Sequence, residues 1–106
     1  MGDAPDKPNP QGFIYLSKKL LGDKLGSSNI PIAYVGDTIA DINTVINARK
    51  EIPSQKFISI GISPPHLHSK SRLKERNSYE KNLKNAGADI ILNCIKDLEN
   101  INLDLF

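Results

Sequence analysis

The chain has 106 residues, 39% of them apolar, which is enough for one modest hydrophobic core and leaves no room for two domains. A net charge of +2, from 14 basic and 12 acidic side chains, argues against a nucleic-acid-dominated surface and against a disordered acidic tail. No apolar stretch approaches the length of a transmembrane helix, and the single cysteine, Cys94, permits no internal disulfide. We therefore expect one cytoplasmic domain over residues 1–106, with no membrane partner.

The chain opens with an extended, proline-rich segment at residues 6–10. A residue that precedes a proline is pushed away from helical conformation, and Asn9 is a favourable cap for a helix whose first turn contains Pro10. The segment therefore holds Lys7 in a rigid position just before the first helix.

Helical and extended patterns then alternate along the chain. We predict helices over residues 10–21, 39–50 and 76–86, and strands over residues 32–35, 57–62 and 89–92. The first helix is expected to bury a stripe formed by Phe13, Leu16 and Leu20, and residues 63–74 are expected to form a long exposed connection. This alternation favours parallel strands joined by right-handed crossovers, and hence an α/β fold.

The strand at residues 32–35 runs into Gly36 and Asp37, and Asp41 follows in the next helix. Open α/β sheets place their chemistry at the carboxyl ends of their strands. Four-residue spacing brings both carboxylates to the side of the helix that faces this end, where they can together bind a hard cation such as Mg²⁺. The structural alternative is that Asp37 merely caps the helix, since aspartate is favoured there for its hydrogen bonds alone. Thr38 is expected to be a cap and not a substrate contact.

Lys7, followed by a strand that ends in Gly36-Asp37-x-x-x-Asp41, resembles the third and fourth motifs of the haloacid dehalogenase (HAD) superfamily of phosphohydrolases. Residues 57–62 resemble the next strand of that family, and residues 83–92 resemble its closing Ala-Gly-Ala-Asp turn from helix to strand. Residues 95–98 resemble the short terminal helix of its phosphoglycolate-phosphatase-like branch. The resemblance covers essentially the whole chain.

The family's first motif, an apolar strand followed by Asp-x-Asp, has no counterpart in this sequence, and its second motif is not identifiable. Asp3 and Asp6 have no strand before them, so they cannot replace the nucleophile. The resemblance therefore implies the C-terminal half of a Rossmann-like parallel sheet flanked by helices, with the N-terminal half and the substrate-selecting cap missing. We expect this partial core domain to be inactive alone, and to self-associate or bind its missing half through an exposed sheet edge.

The resemblance assigns catalytic roles to Lys7 and Asp41 and metal-binding roles to Asp37 and Asp41. Lys7 would pair with the nucleophilic carboxylate and the phosphate, Asp37 would bind Mg²⁺ directly, and Asp41 would hold a metal-bound water or orient Lys7. The implied activity is Mg²⁺-dependent hydrolysis of a small phosphomonoester. Without the first motif, two carboxylates are expected to bind Mg²⁺ with an affinity no better than about millimolar.

Two other interpretations stay open. The chain can be a non-catalytic Mg²⁺-binding or interaction module in which Asp37 and Asp41 persist without chemistry. A receiver-like phosphoacceptor domain is the weaker possibility, because receivers need an acidic pair from an earlier strand that this sequence lacks.

Several further residues are better explained by structure than by function. His66 and His68 lie at the edge where a substrate would enter, but two histidines without a third ligand are more often plain surface residues. Asp89 is interpreted as structural. The basic residues of the same region lack interleaved aromatics and are interrupted by acids, which favours a solvated helix face over a nucleic-acid site. They are Lys70, Arg72, Lys74, Arg76, Lys81 and Lys84.

Overall fold

Three helices alternate with three strands in the residues that the computed structural model describes, which are 9–27, 30–93 and 97–98. In chain order these elements are α1 (Gln11–Leu21), β1 (Ile32–Gly36), α2 (Ile39–Glu51), β2 (Phe57–Ile62), α3 (Leu73–Ala86) and β3 (Ile90–Leu92). Short 3₁₀ turns lie at Gly22–Lys24, Pro65–Leu67 and Lys70–Arg72. Lys7, Asp3, Asp6, Cys94 and residues 95–96 lie outside the described residues.

The strands form one parallel sheet in the order β1-β2-β3. Ile60 of the central strand lies opposite Val35 of β1 and opposite Ile90 of β3. The predicted α/β class with parallel strands is thus confirmed. Among the described residues β1 pairs with β2 alone, which makes β1 an edge strand of this part of the sheet.

One face of the sheet packs against the helices. The Phe13 ring meets Tyr34 edge-on, with ring centroids 5.0 Å apart, and lies 5.1 Å from the Phe57 ring. A second cluster joins α2 to α3 around the fully buried Ile42 and Leu83. Burial of these large apolar side chains is the main term that holds the helices on the sheet.

The opposite face of the sheet is also apolar. Its side chains come from alternate residues of all three strands, as the period of two in a strand requires. They are Ala33, Val35, Ile58, Ile60, Ile62, Ile90 and Leu92. Parallel sheets are usually apolar on both faces, because both are covered in the folded protein.

The element boundaries match the predictions within one residue for the first two helices and for all three strands. Pro10 immediately precedes α1, and the Asn9 Oδ1 accepts a hydrogen bond from the Gln11 N–H at 2.9 Å, which is the contact expected of the predicted cap. In the part of the chain described here, no helix combines the length and the apolar character needed to cross a membrane.

The predicted apolar stripe of α1 is wrong at two of its three positions. Phe13 is buried, but Leu16 and Leu20 are 59% and 74% exposed, and the buried face runs through Ile14 and Ser17 instead. Ser17 can replace a leucine on this face because its hydroxyl donates to the Phe13 carbonyl at 2.9 Å, so no polar group is left unsatisfied.

The predicted exposed connection at residues 63–74 is also partly wrong. Helix α3 begins at Leu73, three residues before its predicted start at Arg76. Ser63 and Leu67 are buried in the preceding segment, which folds into two 3₁₀ turns. Two prolines in sequence explain why a loop was expected, and burial of Leu67 explains why the segment is nevertheless packed.

Candidate functional site

The carboxyl end of β1 leads directly into the N-terminal cap of α2. Thr38 is the capping residue, and its Oγ1 accepts a hydrogen bond from the Asp41 N–H at 3.1 Å. The Asp41 carboxylate returns the contact by accepting the Thr38 N–H at 3.1 Å. This reciprocal arrangement is a capping box, and it confirms the prediction that Thr38 is a cap.

The Asp41 carboxylate is buried and well supplied with donors. Its Oδ2 accepts from the N–H groups of Asp37 and Thr38, both at 3.1 Å, and from the Thr38 hydroxyl at 2.9 Å. Its Oδ1 accepts from the Tyr34 hydroxyl at 3.0 Å. An ionised carboxylate offers about two lone-pair sites on each oxygen, so the three described donors that reach Oδ2 use that oxygen fully. The metal-binding or Lys7-orienting role of Asp41 stays a prediction, and the contacts described are those of a cap.

Gly36 makes room for that carboxylate. A Cβ atom at this position would lie 2.3 Å from the Asp41 Cβ and 2.6 Å from its Oδ2, distances that no real side chain adopts. Gly36 is not among the glycines with a positive φ angle, so the constraint comes from space and not from backbone conformation.

Asp37 is the member of this stretch whose side chain has no such structural role. Its main-chain N–H donates to Asp41, and its main-chain carbonyl accepts from Tyr79, but no described residue donates to its half-buried carboxylate. The structural alternative, in which the Asp37 side chain caps α2, is therefore not what this structure contains. Asp37 places a half-buried carboxylate at the carboxyl ends of the strands, and its predicted role as a metal ligand stays a prediction.

Tyr79 of α3 reaches across to this strand end. Its hydroxyl donates a hydrogen bond to the Asp37 carbonyl oxygen. Burial, together with the negative charges of Asp37 and Asp41, raises the pKa of Tyr79 above its usual value of 10.0. The hydroxyl therefore remains a protonated donor at neutral pH.

The same face of α3 is bonded to the ends of the other two strands. The Ser63 hydroxyl, after β2, donates to Glu80 Oε2 at 2.6 Å, and the Arg76 Nη2 donates to the Asn93 carbonyl, after β3, at 2.7 Å. Arg76 and Glu80 also pair with each other at 2.9 Å. One turn of α3 thus contacts the carboxyl ends of all three strands.

Sequence reasoning did not find this set of contacts. The spacing of Arg76, Tyr79 and Glu80 places them on one helix face, but no sequence signal shows that this face meets the strand ends. The cap of α2 could be predicted more easily than these contacts, because Thr38-x-x-Asp41 has the spacing of a capping box.

An open cleft of about 630 Å³ runs along the N-terminal half of α3, next to the contact with Asp37. The residues that line it carry polar or charged side chains. The lining residues are Ser71, Lys74, Glu75, Ser78, Tyr79 and Asn82.

The two histidines differ in their surroundings. His66 is exposed, whereas the His68 Nε2 lies 2.8 Å from the Ser63 carbonyl oxygen and helps hold the turn after β2. Within the described ranges, no group of three or more potential metal-ligating side chains comes together. Of the basic residues in this region, Arg72 and Arg76 pair with Glu75 and Glu80.

Asp89 immediately precedes β3, which is the outer strand on the side of the sheet away from β1. Its Oδ2 accepts from the Ser59 N–H at 2.8 Å and forms an ion pair with Arg49. The Arg49 guanidinium also donates to the Phe57 carbonyl, from Nη2 at 2.8 Å. The structural interpretation of Asp89 is confirmed by these contacts.

Comparison of the chain with protein-family models, with curated proteins and with solved structures finds no match. The family resemblance thus rests on the motif residues alone, and the function must be argued from the geometry at the carboxyl edge.

Proposed function

We propose that the chain supplies the metal-binding half of a phosphohydrolase site of the haloacid dehalogenase type, which acts on a small phosphomonoester with Mg²⁺. In this proposal the parallel sheet is the C-terminal half of a Rossmann-like core. One observation carries it: in the Gly36–Asp41 stretch, the Asp37 carboxylate has no donor among the described residues, whereas Gly36, Thr38 and Asp41 serve the cap.

An aspartate in this position is suited to binding and poorly explained by stability. A half-buried carboxylate gains little stability where the described residues give it no hydrogen bond, since such a group loses part of its hydration. A cation at the carboxyl edge would compensate for that loss. Carboxylate oxygens are the ligands that Mg²⁺ prefers, and this ion usually keeps several of its waters.

The residues at this edge fit only part of a Mg²⁺ site. Asp37 can be a direct ligand, whereas the Asp41 carboxylate already accepts four hydrogen bonds and suits a supporting role. When bound, Mg²⁺ would supply positive charge to the phosphoryl oxygens. The remaining ligands must come from substrate, water and a carboxylate outside the described residues.

The edge position of β1 suggests how the missing groups would arrive. A parallel strand added to β1 would satisfy its backbone donors and acceptors, and an Asp-x-Asp at the end of that strand would lie beside Asp37. The incoming carboxylate would attack phosphorus, the alcohol would leave, and water would then cleave the aspartyl phosphate. Lys7, by resemblance, would neutralise the crowded anions.

A non-catalytic metal-binding or interaction module is the second candidate. It is favoured by the cap contacts of Asp41, which serve the fold without any chemistry. The two candidates differ in whether completing the sheet restores chemistry.

Phosphatase assays on the purified chain, alone and with an added N-terminal half, test the proposal. The partner polypeptide is expressed from the coding sequence upstream of the Met1 codon, where the proposal requires an apolar strand followed by Asp-x-Asp. We expect no hydrolysis of p-nitrophenyl phosphate by the chain alone and clear hydrolysis by the mixture with Mg²⁺.

Asp37→Asn should lower kcat/KM of the mixture by about a hundredfold or more, because it removes a metal ligand. Asp23→Asn, at an exposed position in the turn after α1, is the matched control and should leave kcat/KM unchanged. Association of the two polypeptides without turnover, or an upstream sequence without the motif, would favour the non-catalytic module.

A further inference from the structure

We propose that Tyr79 is a positioning residue for Asp37, because its hydroxyl and the Asp41 carboxylate hold opposite ends of one peptide unit and so help fix the direction of the Asp37 Cα–Cβ bond. The importance of that direction rests on the proposed function, in which Asp37 binds the metal. The positioning itself can be tested without any metal.

The peptide unit in question joins Asp37 to Thr38. Its carbonyl oxygen accepts from the Tyr79 hydroxyl, and its N–H donates to Asp41 Oδ2 at 3.1 Å. The preceding peptide unit is held too, since the Asp37 N–H donates to the same Oδ2 at 3.1 Å. Both peptide planes beside the Asp37 Cα are thus fixed by hydrogen bonds, and together they determine where its Cβ points.

Tyr79 is itself anchored by packing. Its ring lies against the cluster of Ile42, Leu83 and Ala88, which joins α3 to α2. Leu83 lies one turn further along α3 and is 1% exposed, so this helix surface has little freedom to move. A donor carried on a packed helix can hold a strand end more firmly than a donor on a loop.

The consequence for chemistry is preorganisation. A metal ligand must lie within a fraction of an ångström of its working position, and small displacements reduce activity strongly. Because the Asp37 carboxylate has no donor of its own among the described residues, its main chain is the part of the residue through which the protein can orient it.

Hydrogen exchange of the metal-free chain gives the first test. Tyr79→Phe removes the hydroxyl and keeps the ring, so we expect the Thr38 amide to exchange at least about threefold faster, because its peptide unit loses one of two restraints. Tyr15→Phe removes the hydroxyl of an exposed tyrosine and should have no effect at Thr38.

Lys81→Gly is the control for a merely structural role. It weakens α3 at an exposed position, by about 1 kcal/mol on the usual propensity scale, without touching the Asp37 contact. Unchanged exchange at Thr38 in Tyr79→Phe, or equal acceleration in Lys81→Gly, would overturn the proposal.

Manganese provides the second readout, with Mn²⁺ as a paramagnetic substitute for Mg²⁺. We expect Mn²⁺ to broaden the Asp37 amide resonance in the wild type. The Tyr79→Phe variant should require about fivefold more Mn²⁺ for the same broadening, since misalignment of the ligand weakens binding. Asp37→Asn should abolish the broadening. If the wild type shows no broadening that depends on Asp37, the proposed function is contradicted. The hydrogen exchange of the Thr38 amide would still decide the role of Tyr79.

A measurement on the unchanged chain covers the case in which Tyr79→Phe does not fold. A hydrogen-bonded, partly buried hydroxyl exchanges slowly with solvent, so the Cζ carbon of Tyr79 should give separate signals for its OH and OD forms in mixed H₂O and D₂O. Two signals support the contact with the Asp37 carbonyl, and one averaged signal overturns it.

Discussion

Asp37 and Asp89 stand at opposite edges of the same sheet and differ in almost every contact. Asp89, at the start of β3, accepts from the Ser59 N–H and pairs with Arg49, which is bonded in turn to the Phe57 carbonyl. The Asp37 carboxylate, at the end of β1, accepts no hydrogen bond from a described residue. A side chain that completes a network of hydrogen bonds stabilises the fold, and the described contacts give that role to Asp89 and not to Asp37.

At the carboxyl end of β1, the described hydrogen bonds of Asp37 are made by its main-chain atoms. Asp41 and Tyr79 satisfy the main chain of Asp37, not its side chain. The residue is therefore held in place through its main chain, and it is half-buried. Under the proposed function, these main-chain contacts would hold the metal ligand in position.

The largest loss of stability is expected on substitution of Asp41, whose carboxylate accepts hydrogen bonds from the turn between β1 and α2. Asp41→Ala removes the acceptor for four hydrogen bonds in a buried position and should lower the free energy of unfolding by about 2–3 kcal/mol. Urea unfolding followed by circular dichroism measures the change. A loss below about 0.5 kcal/mol would show that the capping box contributes little to stability.

A smaller difference is expected between the two edge aspartates themselves. Asp89→Ala should cost about 1–2 kcal/mol, a value reduced because the Arg49 and Asp89 side chains are 36% and 30% exposed. Asp37→Ala should change the unfolding free energy by less than about 0.5 kcal/mol, since it breaks no described hydrogen bond of the side chain. Matched urea curves for the two variants test the contrast, and equal losses would refute it.

The smallest effect concerns pH. The pKa of Tyr79 is raised in the fold, by burial first and then by Asp37 and Asp41, so the stabilising contribution is complete below the unfolded value of 10.0. It is lost as the pH rises from there through the folded pKa, because the unfolded chain then releases its proton more readily. The wild type should therefore lose stability above pH 10 more steeply than Tyr79→Phe. Parallel curves for the two proteins would show that Tyr79 does not contribute.

Much of the backbone was predictable because its signals are local. Alternating patterns, Pro53 and the two prolines after β2 set the element boundaries within about one residue at most positions. The wrongly predicted buried stripe of α1 has a tertiary cause. Leu16 and Leu20 fit a helical stripe. The helix face that packs on the sheet is instead the one that brings Phe13 against Tyr34 and Phe57.

The site was predictable in part. The position of Asp37 at a strand end follows from the run of apolar residues before Gly36, whereas the donors around Asp41 depend on how α2 begins. Tyr79 lies 42 residues from Asp37 along the chain, and only the packing of α3 brings them together. A contact of that separation leaves no local pattern.

Gly36 and Asp41 together restrict which sequences this protein can explore. The space that a side chain at position 36 would need is already filled by the Asp41 carboxylate. The nearest atom is the Asp41 Cβ, which every residue except glycine carries. A larger residue at 36 therefore requires glycine at 41 or a shift of the start of α2, and either change taken first gives a less stable protein. Substitutions at positions 36 and 41 therefore depend on each other, and we expect the two residues to change together in evolution.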